Sequence, residues 1–326
     1  MALSDPTWTI IVPTYERPAR LADCLASLAR LDYPRDRFEV IVVDDGSRAA
    51  PTDDVASSRA QLRVDWIRQE HAGPAVARNA GAQAARGTFL AFTDDDCLVT
   101  PSWLTAMEAR LRETPQALIG GRTLNAFPDN LYSMVSQLLT DALYDYHAGH
   151  PECLRFFTSN NLAVSRAHFQ AVGGFDPAFP SAAGEDREFC ARWTWQGYPL
   201  IYEVRAVVHH RHWLTPKTFL RQQFGYGRGA CRFHRICAQR QQGGHRVGIE
   251  FWRHLLHFSF QKLGGRRRMT ACGLVVLSQI AIAGGLATAC FHSPNGTTQS
   301  RGPVRHSSMV SSRSAVPSRT SGHNAA

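Results

Sequence analysis

The sequence predicts an α/β protein with a mostly parallel sheet sandwiched by helices, and three observations support this prediction. Short apolar runs typical of strands alternate with segments of helical periodicity, which is the pattern of parallel sheets. The chain has 326 residues, of which 44% are hydrophobic, so it can bury a sizeable core. Three polar clusters follow predicted strands, and ligands of such sheets bind beyond the carboxyl ends of the strands.

Apolar periodicity predicts the first two strands and the helix between them. A β-branched run over Thr9–Val12 is stopped by Pro13, and a second apolar run covers Phe38–Val43. Between these runs, Pro18–Arg30 places its leucines on one helical face. The chain therefore begins with a strand, a helix and a second strand.

The next elements continue this alternation. Leu62–Ile67 alternates between apolar and polar residues, as a half-buried strand does. Gly73–Ala85 is rich in alanine, and Pro74 suits a first helical turn. Thr88–Thr93 reads as a fourth strand, and residues 101–114 read as a helix.

The second half of the chain is less regular. Residues 115–203 mix strands, loops and helix, with helical spacing over Arg187–Trp195. An apolar strand is predicted over Ile201–Val208. Residues 216–262 are basic and aromatic, and we expect them to be helical in pieces.

Three adjacent carboxylates follow the fourth strand, at Asp94–Asp96. Adjacent carboxylates raise each other's pKa unless a cation lies between them. Mg²⁺ and Mn²⁺ bind carboxylate oxygens and leave coordination positions open for phosphate. A solvated acidic turn is the alternative, but the clusters Pro13–Glu16 and Asp44–Ser47 at neighbouring strand ends favour a metal site.

Other polar residues have both a structural and a functional interpretation. Asp44 and Asp45 either form a turn or accept hydrogen bonds from a nucleobase and ribose. Arg78 either holds a diphosphate or lies on a helix surface. The acids of Gly184-Glu185-Asp186 either stabilise a helix N-terminus or supply a general base. Three histidines, His209, His210 and His212, are either structural or contact a metal or phosphate.

These residues together resemble family 2 glycosyltransferases over about residues 8–235. The segments Val12-Pro13-Thr14-Tyr15-Glu16-Arg17, Val42-Val43-Asp44-Asp45-Gly46-Ser47 and Ala77-Arg78-Asn79-Ala80-Gly81 resemble the opening of that family. Phe92-Thr93-Asp94-Asp95-Asp96 is similar to its DxD site. Later segments resemble its acceptor-half motifs, namely Asn160-Asn161-Leu162, Val172-Gly173-Gly174-Phe175-Asp176, Gly184-Glu185-Asp186, and His210-Arg211-His212 with Phe224-Gly225-Tyr226-Gly227-Arg228-Gly229.

The resemblance implies a GT-A fold with a nucleotide-sugar half at 8–115 and an acceptor half at 116–235. It implies that a sugar passes from a nucleoside diphosphate sugar to a hydroxyl of a glycan, a lipid-linked or another acceptor, with inversion and with Mn²⁺ or Mg²⁺ as cofactor. The residues that it places at the donor are Pro13, Thr14, Glu16, Asp44, Asp45, Arg78, Asp94 and Asp95, although Asp95 receives no firm role.

The resemblance also assigns the metal, the base and the acceptor side. Asp96 ligates the metal, with Asp94 near it and His210 as the favoured histidine, although His209 or His212 can take that place. Asp186 is the general base. Glu185, Asn160 and Gly174 lie on the acceptor side.

The C-terminal third predicts an anionic partner. Residues 204–326 hold 18 basic residues and a single acid, Glu250. A basic amphipathic region covers 236–268, and an uncharged stretch at 269–291 is long enough to span a membrane or associate with one. Residues 292–326 have the composition of a disordered tail.

We therefore expect a 1–235 catalytic domain at the cytoplasmic face of the cell membrane. The short polar N-terminus resembles no signal peptide, and none of the eight cysteines forms a CxxC pair. A nucleotidyltransferase is one alternative, but Val12–Arg17 is not a Gly-rich phosphate loop. The other alternative is a catalytically inactive module that binds membranes or other anions. No nucleic-acid-binding motif is present, and nucleic acid is not an expected partner.

Overall fold

The computed structural model describes residues 5–48, 55, 62–150, 156–240, 248–263, 265 and 267–291. In chain order, its strands and helices are β1 (Trp8–Thr14), α1 (Pro18–Leu28), β2 (Phe38–Asp44), β3 (Val64–Arg68), α2 (Pro74–Ala84), β4 (Phe89–Thr93), β5 (Cys97–Val99), α3 (Trp103–Glu113), β6 (Leu118–Asn125), α4 (Leu131–Gly149), β7 (Asn161–Ser165), α5 (Arg166–Val172), α6 (Glu185–Trp195), β8 (Leu200–His210), α7 (Pro216–Gln239), α8 (Ile249–Lys262) and α9 (Arg267–Phe291).

The described strands form one sheet in the order β3-β2-β1-β4-β7-β6-β8-β5. The strands β3, β2, β1 and β4 are all parallel. The strand β7 is antiparallel to both β4 and β6, and β5 is antiparallel to β8, whereas β6 and β8 are parallel. The predicted parallel sheet is therefore confirmed in the first half of the chain, and the second half makes the complete sheet mixed.

Helices cover both faces of the sheet because successive strand residues point to opposite sides. From β1, Ile10 and Val12 pack into a core with α1 and α3. Between them, Ile11 packs on the other face with α2, α5 and α6. These two cores hold the carboxyl ends of β1, β2 and β4 in fixed positions.

Two strands extend beyond their predicted ends. The strand β1 continues through Pro13, which was expected to stop it, and Pro13 pairs with Val43 of β2. The carbonyl of Thr14 accepts a hydrogen bond from the Asp45 N–H on the β2 side. Because backbone groups of successive residues alternate sides, the backbone nitrogen of Pro13 points towards β4, and the pairing of β1 with β4 has already ended at Ile11. The missing N–H of Pro13 therefore interrupts no ladder. The strand β8 runs to His210 and includes two of the histidines that were expected to follow it.

The C-terminal helices pack on the preceding domain. The predicted domain boundary at 235 falls inside α7, and the described residues up to Phe291 belong to one compact unit. Helices α4, α7, α8 and α9 share a third core that includes Val135, Phe219, Leu255 and Val275. The predicted tail at 292–326 lies outside the described residues.

Candidate active site

Three strand ends meet at one edge of the sheet, as predicted. The Thr14 hydroxyl donates a 2.8 Å hydrogen bond to Oδ2 of Asp95, which connects the ends of β1 and β4. The Asp45 N–H donates to the Thr14 carbonyl at 2.9 Å, which connects β1 and β2. The β1 and β2 loops also meet where the Glu16 N–H donates to Oγ of Ser47 at 2.8 Å. The polar clusters therefore form a single site.

The residue Glu16 has a left-handed backbone with a φ of 55°, the only non-glycine among the described residues with a positive φ. This conformation is uncommon for a residue with a side chain and persists only where the surroundings stabilise it. Here the carboxylate of Glu16 accepts a 2.9 Å hydrogen bond from the Arg48 N–H. The β1 and β2 loops hold each other in place beside the cluster.

The two acids after β2 stabilise the loops around them. Asp44 accepts from the Ser47 N–H at 2.9 Å and so closes the turn after β2. Asp45 accepts from the side chain of Gln69 at 2.7 Å and from the Ala72 and Gly73 N–H groups at 2.9 Å. Asp45 therefore fixes the loop that leads into α2, and its carboxylate oxygens are occupied by protein donors.

Replacing Asp45 with alanine should lower the free energy of unfolding by about 2–4 kcal/mol, because it leaves several donors of a buried loop without an acceptor. Chemical denaturation followed by circular dichroism measures this difference. Asp32→Ala is a control at another loop aspartate. If both variants unfold like the wild type, Asp45 does not stabilise the loop.

The buried side chain of Arg78 connects the two halves of the chain. Its NH2 group donates to Oδ1 of Asp94 at 2.7 Å, and its NH1 group lies 3.1 Å from Oε1 of Glu185. The exposed fraction of the Arg78 side chain is 2%, whereas that of Asp94 is 29%. Arg78 therefore pairs with two carboxylates and brings the loop after β4 to the N-terminus of α6.

The carboxylate of Asp186 lies beside this bridge, in the first turn of α6. Its Oδ1 atom accepts a 2.7 Å hydrogen bond from the Arg187 N–H. Burial, together with the negative charge of Glu185, raises the pKa of Asp186 to about 7. Asp186 can therefore take up a proton near neutral pH.

Asp95 and Asp96 have different surroundings although they are adjacent. Asp95 is fully buried, and burial raises its pKa to about 7. Burial alone would also raise the pKa of Asp96, but His210, Arg17 and Arg20 hold it below its ordinary value. Asp96 therefore stays ionised, as a metal ligand must be.

The predicted pair of Asp96 and His210 is present. Nε2 of His210 lies 3.3 Å from Oδ1 of Asp96. The ring of His212 stacks on that of His210 at 4.0 Å between centroids, and burial with His210 lowers the pKa of His212 to about 3. His209 precedes His210 in β8, where successive side chains point to opposite faces. The geometry therefore favours His210 among the three histidines.

The donor set around Asp96 fits a hard divalent cation. Asp96, Cys97 and His210 each place a potential ligand atom within 4.8 Å of the others. Cys97, however, belongs to the hydrophobic core, and burial raises the pKa of its thiol well above the ordinary value. Mg²⁺ and Mn²⁺ prefer oxygen ligands to thiol sulfur. Asp96 and His210 are therefore the suitable pair.

The residues predicted on the acceptor side differ in what they contact. Asn160 is buried, and its side-chain oxygen Oδ1 accepts hydrogen bonds from the hydroxyls of Thr158 at 2.8 Å and Thr123 at 3.3 Å. Gly174 has a φ of 67°, and a Cβ added there would lie 2.6 Å from Oδ1 of Asn79. Gly174 therefore lets its loop dock on α2, and this structural reason accounts for a glycine at that position.

Sequence reasoning assigned no site role to three residues that the fold brings to this cluster. NH1 of Arg17 lies 3.0 Å from Oδ2 of Asp96, and NH1 of Arg20 lies 3.2 Å from the same oxygen. Tyr226 of α7 is 43% exposed, and partial burial with the negative charges of Asp186 and Glu185 raises its pKa. The Arg17–Arg20 spacing at the start of a helix was the available signal, since it puts two cations on one face.

The comparisons with known proteins agree with this architecture. The family model described as Glycosyl transferase family 2 matches residues 9–170. Glycosyltransferase AglE of Haloferax volcanii is 32% identical over 236 residues, which cover 69% of this chain and 73% of that protein. Validoxylamine A glucosyltransferase of Streptomyces hygroscopicus subsp. jinggangensis is 31% identical over 224 residues, which cover 60% of this chain and 53% of that protein. The chain spans about half the length of several curated relatives that it matches.

A solved structure shares the fold. The mannosyltransferase PcManGT of Pyrobaculum calidifontis, in complex with GDP-Man and Mn²⁺, aligns with a TM-score of 0.54 and 19% identity, over 88% of this chain and 76% of that one. The fold is therefore GT-A-like. The family model and the AglE relative show that the chain belongs to glycosyl transferase family 2.

Proposed function

We propose that this protein transfers a sugar from a nucleoside diphosphate sugar to an acceptor hydroxyl with inversion at the anomeric carbon. The observation that supports this most is the Arg78 bridge between Asp94 and Glu185. The bridge joins the predicted donor half to the helix that carries Asp186, so the two halves flank one site. A catalytically inactive module would not need a base with a pKa near neutrality beside a cation site.

Asp186 acts as the general base in this proposal. Its carboxylate takes the proton of the acceptor hydroxyl while that oxygen attacks the anomeric carbon. The bond between this carbon and the diphosphate oxygen breaks, and the electron pair leaves with the diphosphate. Because one displacement inverts the configuration, a single base suffices and no sugar–enzyme intermediate forms.

The residues around Asp96 hold the diphosphate end of the donor. Asp96 and His210 would hold a Mn²⁺ or Mg²⁺ ion, with Asp94 close to it. When bound, such an ion neutralises the charge that develops on the leaving diphosphate. Arg17 and Arg20 contact Asp96, and their positive charges would also lie close to the diphosphate of the donor. Pro13, Thr14 and Glu16 would line the nucleotide pocket, and Asp44 would contact the base or ribose.

A panel of UDP- and GDP-sugars tests the proposal. We expect one donor to raise the melting temperature of the full chain in the presence of Mn²⁺, because a ligand that binds only the folded state stabilises it. The same donor should stabilise less in EDTA, and it should be hydrolysed slowly without an acceptor. If no donor stabilises the protein or is hydrolysed, the proposed function is wrong.

The raised pKa of Asp186 predicts an acid limb in the pH–rate profile. A general base must be deprotonated, so the logarithm of kcat should fall with a slope of about one below about pH 7. Glu185→Gln removes a neighbouring negative charge and should move this limb to lower pH. Initial rates between pH 5 and 9 measure both profiles. A flat profile would show that Asp186 does not titrate during the rate-limiting step.

We also propose that the enzyme works at the cytoplasmic face of the cell membrane on a glycan, a lipid-linked or another hydroxyl acceptor. Among the described helices, α9 is long and apolar enough to cross a membrane, and 17% of its most apolar 18 residues are buried. Membership of glycosyl transferase family 2 argues against the nucleotidyltransferase alternative.

A further inference from the structure

Both ends of α9 contact the same folded unit. Near its N-terminus, Ala271 and Val275 are buried in the third core with residues of α4, α7 and α8. At its C-terminus, NH2 of Arg235 on α7 donates to the carbonyls of Ala289 at 2.9 Å and Cys290 at 3.1 Å. The last carbonyls of a helix have no N–H donor within the helix, and Arg235 supplies one here.

Glycines bring the middle of α9 into backbone contact with α7. A Cβ added at Gly227 of α7 would overlap the carbonyl of Ile282, and one added at Gly285 of α9 would overlap the carbonyl of Phe224. Small residues allow such close approach of two helices. On its other side, α7 contacts the loop before Asp186, since a Cβ at Gly229 would overlap the carbonyl of Ala183. Helix α7 therefore lies between α9 and the candidate active site.

This packing distinguishes between an α9 that spans a membrane and an α9 that lies in the plane of its surface. With 25 residues, α9 is roughly 37 Å long at 1.5 Å per residue, and the hydrocarbon layer is about 30 Å thick. A spanning helix would have its ends on opposite sides of that layer. It would carry α7 into the hydrocarbon, where exposed Arg228 and Arg232 would be costly. A helix that lies in the plane of the interface keeps both ends on one side.

The outer surface of α8 and α9 has the chemistry of an interface. An open apolar groove of about 310 Å³ runs between these helices, and it is lined by Trp252, Leu255, Leu256, Val275, Val276, Gln279, Ile280 and Ala283. Further exposed apolar side chains continue the surface on both helices, namely Ile249, Phe260, Met269, Leu277 and Phe291. Basic residues accompany them, including Arg253, Lys262, Arg267 and Arg268. Apolar and basic side chains together favour an anionic lipid surface.

We infer that α8 and α9 form an in-plane docking surface for anionic membranes, and that α9 does not span the bilayer. The catalytic domain and the C-terminal end of α9 then stay on one side of the membrane. Because α7 links α9 to the loop before Asp186, docking holds the acceptor side of the site at a fixed height above the lipid. This inference rests on the proposed membrane location and replaces a spanning helix at 269–291.

Vesicle binding tests the surface. The full chain is mixed with sealed phosphatidylcholine vesicles that contain or lack phosphatidylglycerol, and bound protein is separated by flotation. We expect phosphatidylglycerol to strengthen binding. We expect Ile280→Asp to weaken it by about tenfold or more, since it replaces an exposed apolar group that docking would bury in the lipid with a charge. The matched control is Val204→Asp, on an apolar residue of β8 that is 54% exposed, against 63% for Ile280. Equal binding of both variants, or no binding of the wild type, overturns the inference.

The side of the membrane on which α9 ends tests the in-plane arrangement. Cys290 is exposed at the C-terminal end of α9, and Cys290→Ser provides the labelling control. Sealed inside-out membrane vesicles from cells that express the full chain are treated with a membrane-impermeant maleimide. An in-plane helix predicts modification of Cys290 without permeabilisation. Modification only after detergent treatment shows a spanning helix and overturns the inference.

These tests fail separately from the proposed function. Neither measurement uses a nucleotide sugar, whereas donor stabilisation of the detergent-solubilised chain uses no membrane. If the protein binds a donor but α9 spans the bilayer, the proposed function stands and the in-plane inference is wrong. If the protein docks in plane but binds no donor, the docking surface stands and the proposed function is wrong.

Discussion

Replacing Asp186 with asparagine should slow sugar transfer by about 10²- to 10⁴-fold, which is the usual contribution of a general base. Asparagine keeps the size of the side chain and the oxygen that accepts from the Arg187 N–H, but it cannot take a proton. The affinity for the nucleotide sugar should therefore change little. Steady-state kinetics and donor titration by calorimetry measure these two quantities separately.

The control for this variant is Asp145→Asn, at an exposed carboxylate of α4 that contacts His254. It should leave both transfer and donor affinity unchanged. A loss of less than about tenfold for Asp186→Asn would move the role of base to another group, with Glu185 the first to test. A parallel loss of donor affinity would instead indicate that Asp186 supports the structure of the site.

Replacing Asp96 with alanine should abolish metal-dependent donor binding and reduce transfer by at least about 100-fold. The variant removes the carboxylate on which His210, Arg17 and Arg20 converge. Titration of Mn²⁺ into the protein with and without donor measures the loss directly. Chelation of the metal should reduce wild-type transfer to the level of the variant.

A matched control is Asp23→Ala, at an exposed aspartate of α1 that pairs with Arg211, next to His210. It removes the same charge near the same strand end but leaves Asp96 in place. Its metal titration should match that of the wild type. Full activity of Asp96→Ala in chelator would contradict the metal assignment.

Local hydrophobic patterns in the sequence were sufficient to predict most strands and helices of the donor half. The strands β1, β2 and β4 are short apolar runs, and each is followed by polar residues that parallel pairing must bring to one edge. The contact between Thr14 and Asp95 confirms that reasoning. The acceptor half was harder to predict because β7 pairs antiparallel with β4, although it lies about 70 residues later. No local periodicity encodes a pairing between residues so far apart.

The sequence by itself determined which residue types are available for chemistry and, for most of the first half of the chain, which segments form strands or helices. Acids at a strand end and at a helix start, together with the resemblance to family 2 glycosyltransferases, made Asp94 and Asp96 candidate metal ligands and Asp186 a candidate general base. Only the tertiary structure shows which groups Arg78 contacts. A sequence cannot distinguish a diphosphate-binding arginine from a buried bridge, because the partners Asp94 and Glu185 lie 16 and 107 residues away.

The tertiary structure also decided the position of α9. Length and composition allow residues 267–291 either to span a membrane or to pack on a protein, since both environments accept an uncharged helix. Only the backbone contacts at Gly227 and Gly285, with Arg235 at the last carbonyls, fix both ends of α9 on one folded unit. Such contacts depend on where α7 lies in space, and hydropathy along the chain does not record that position.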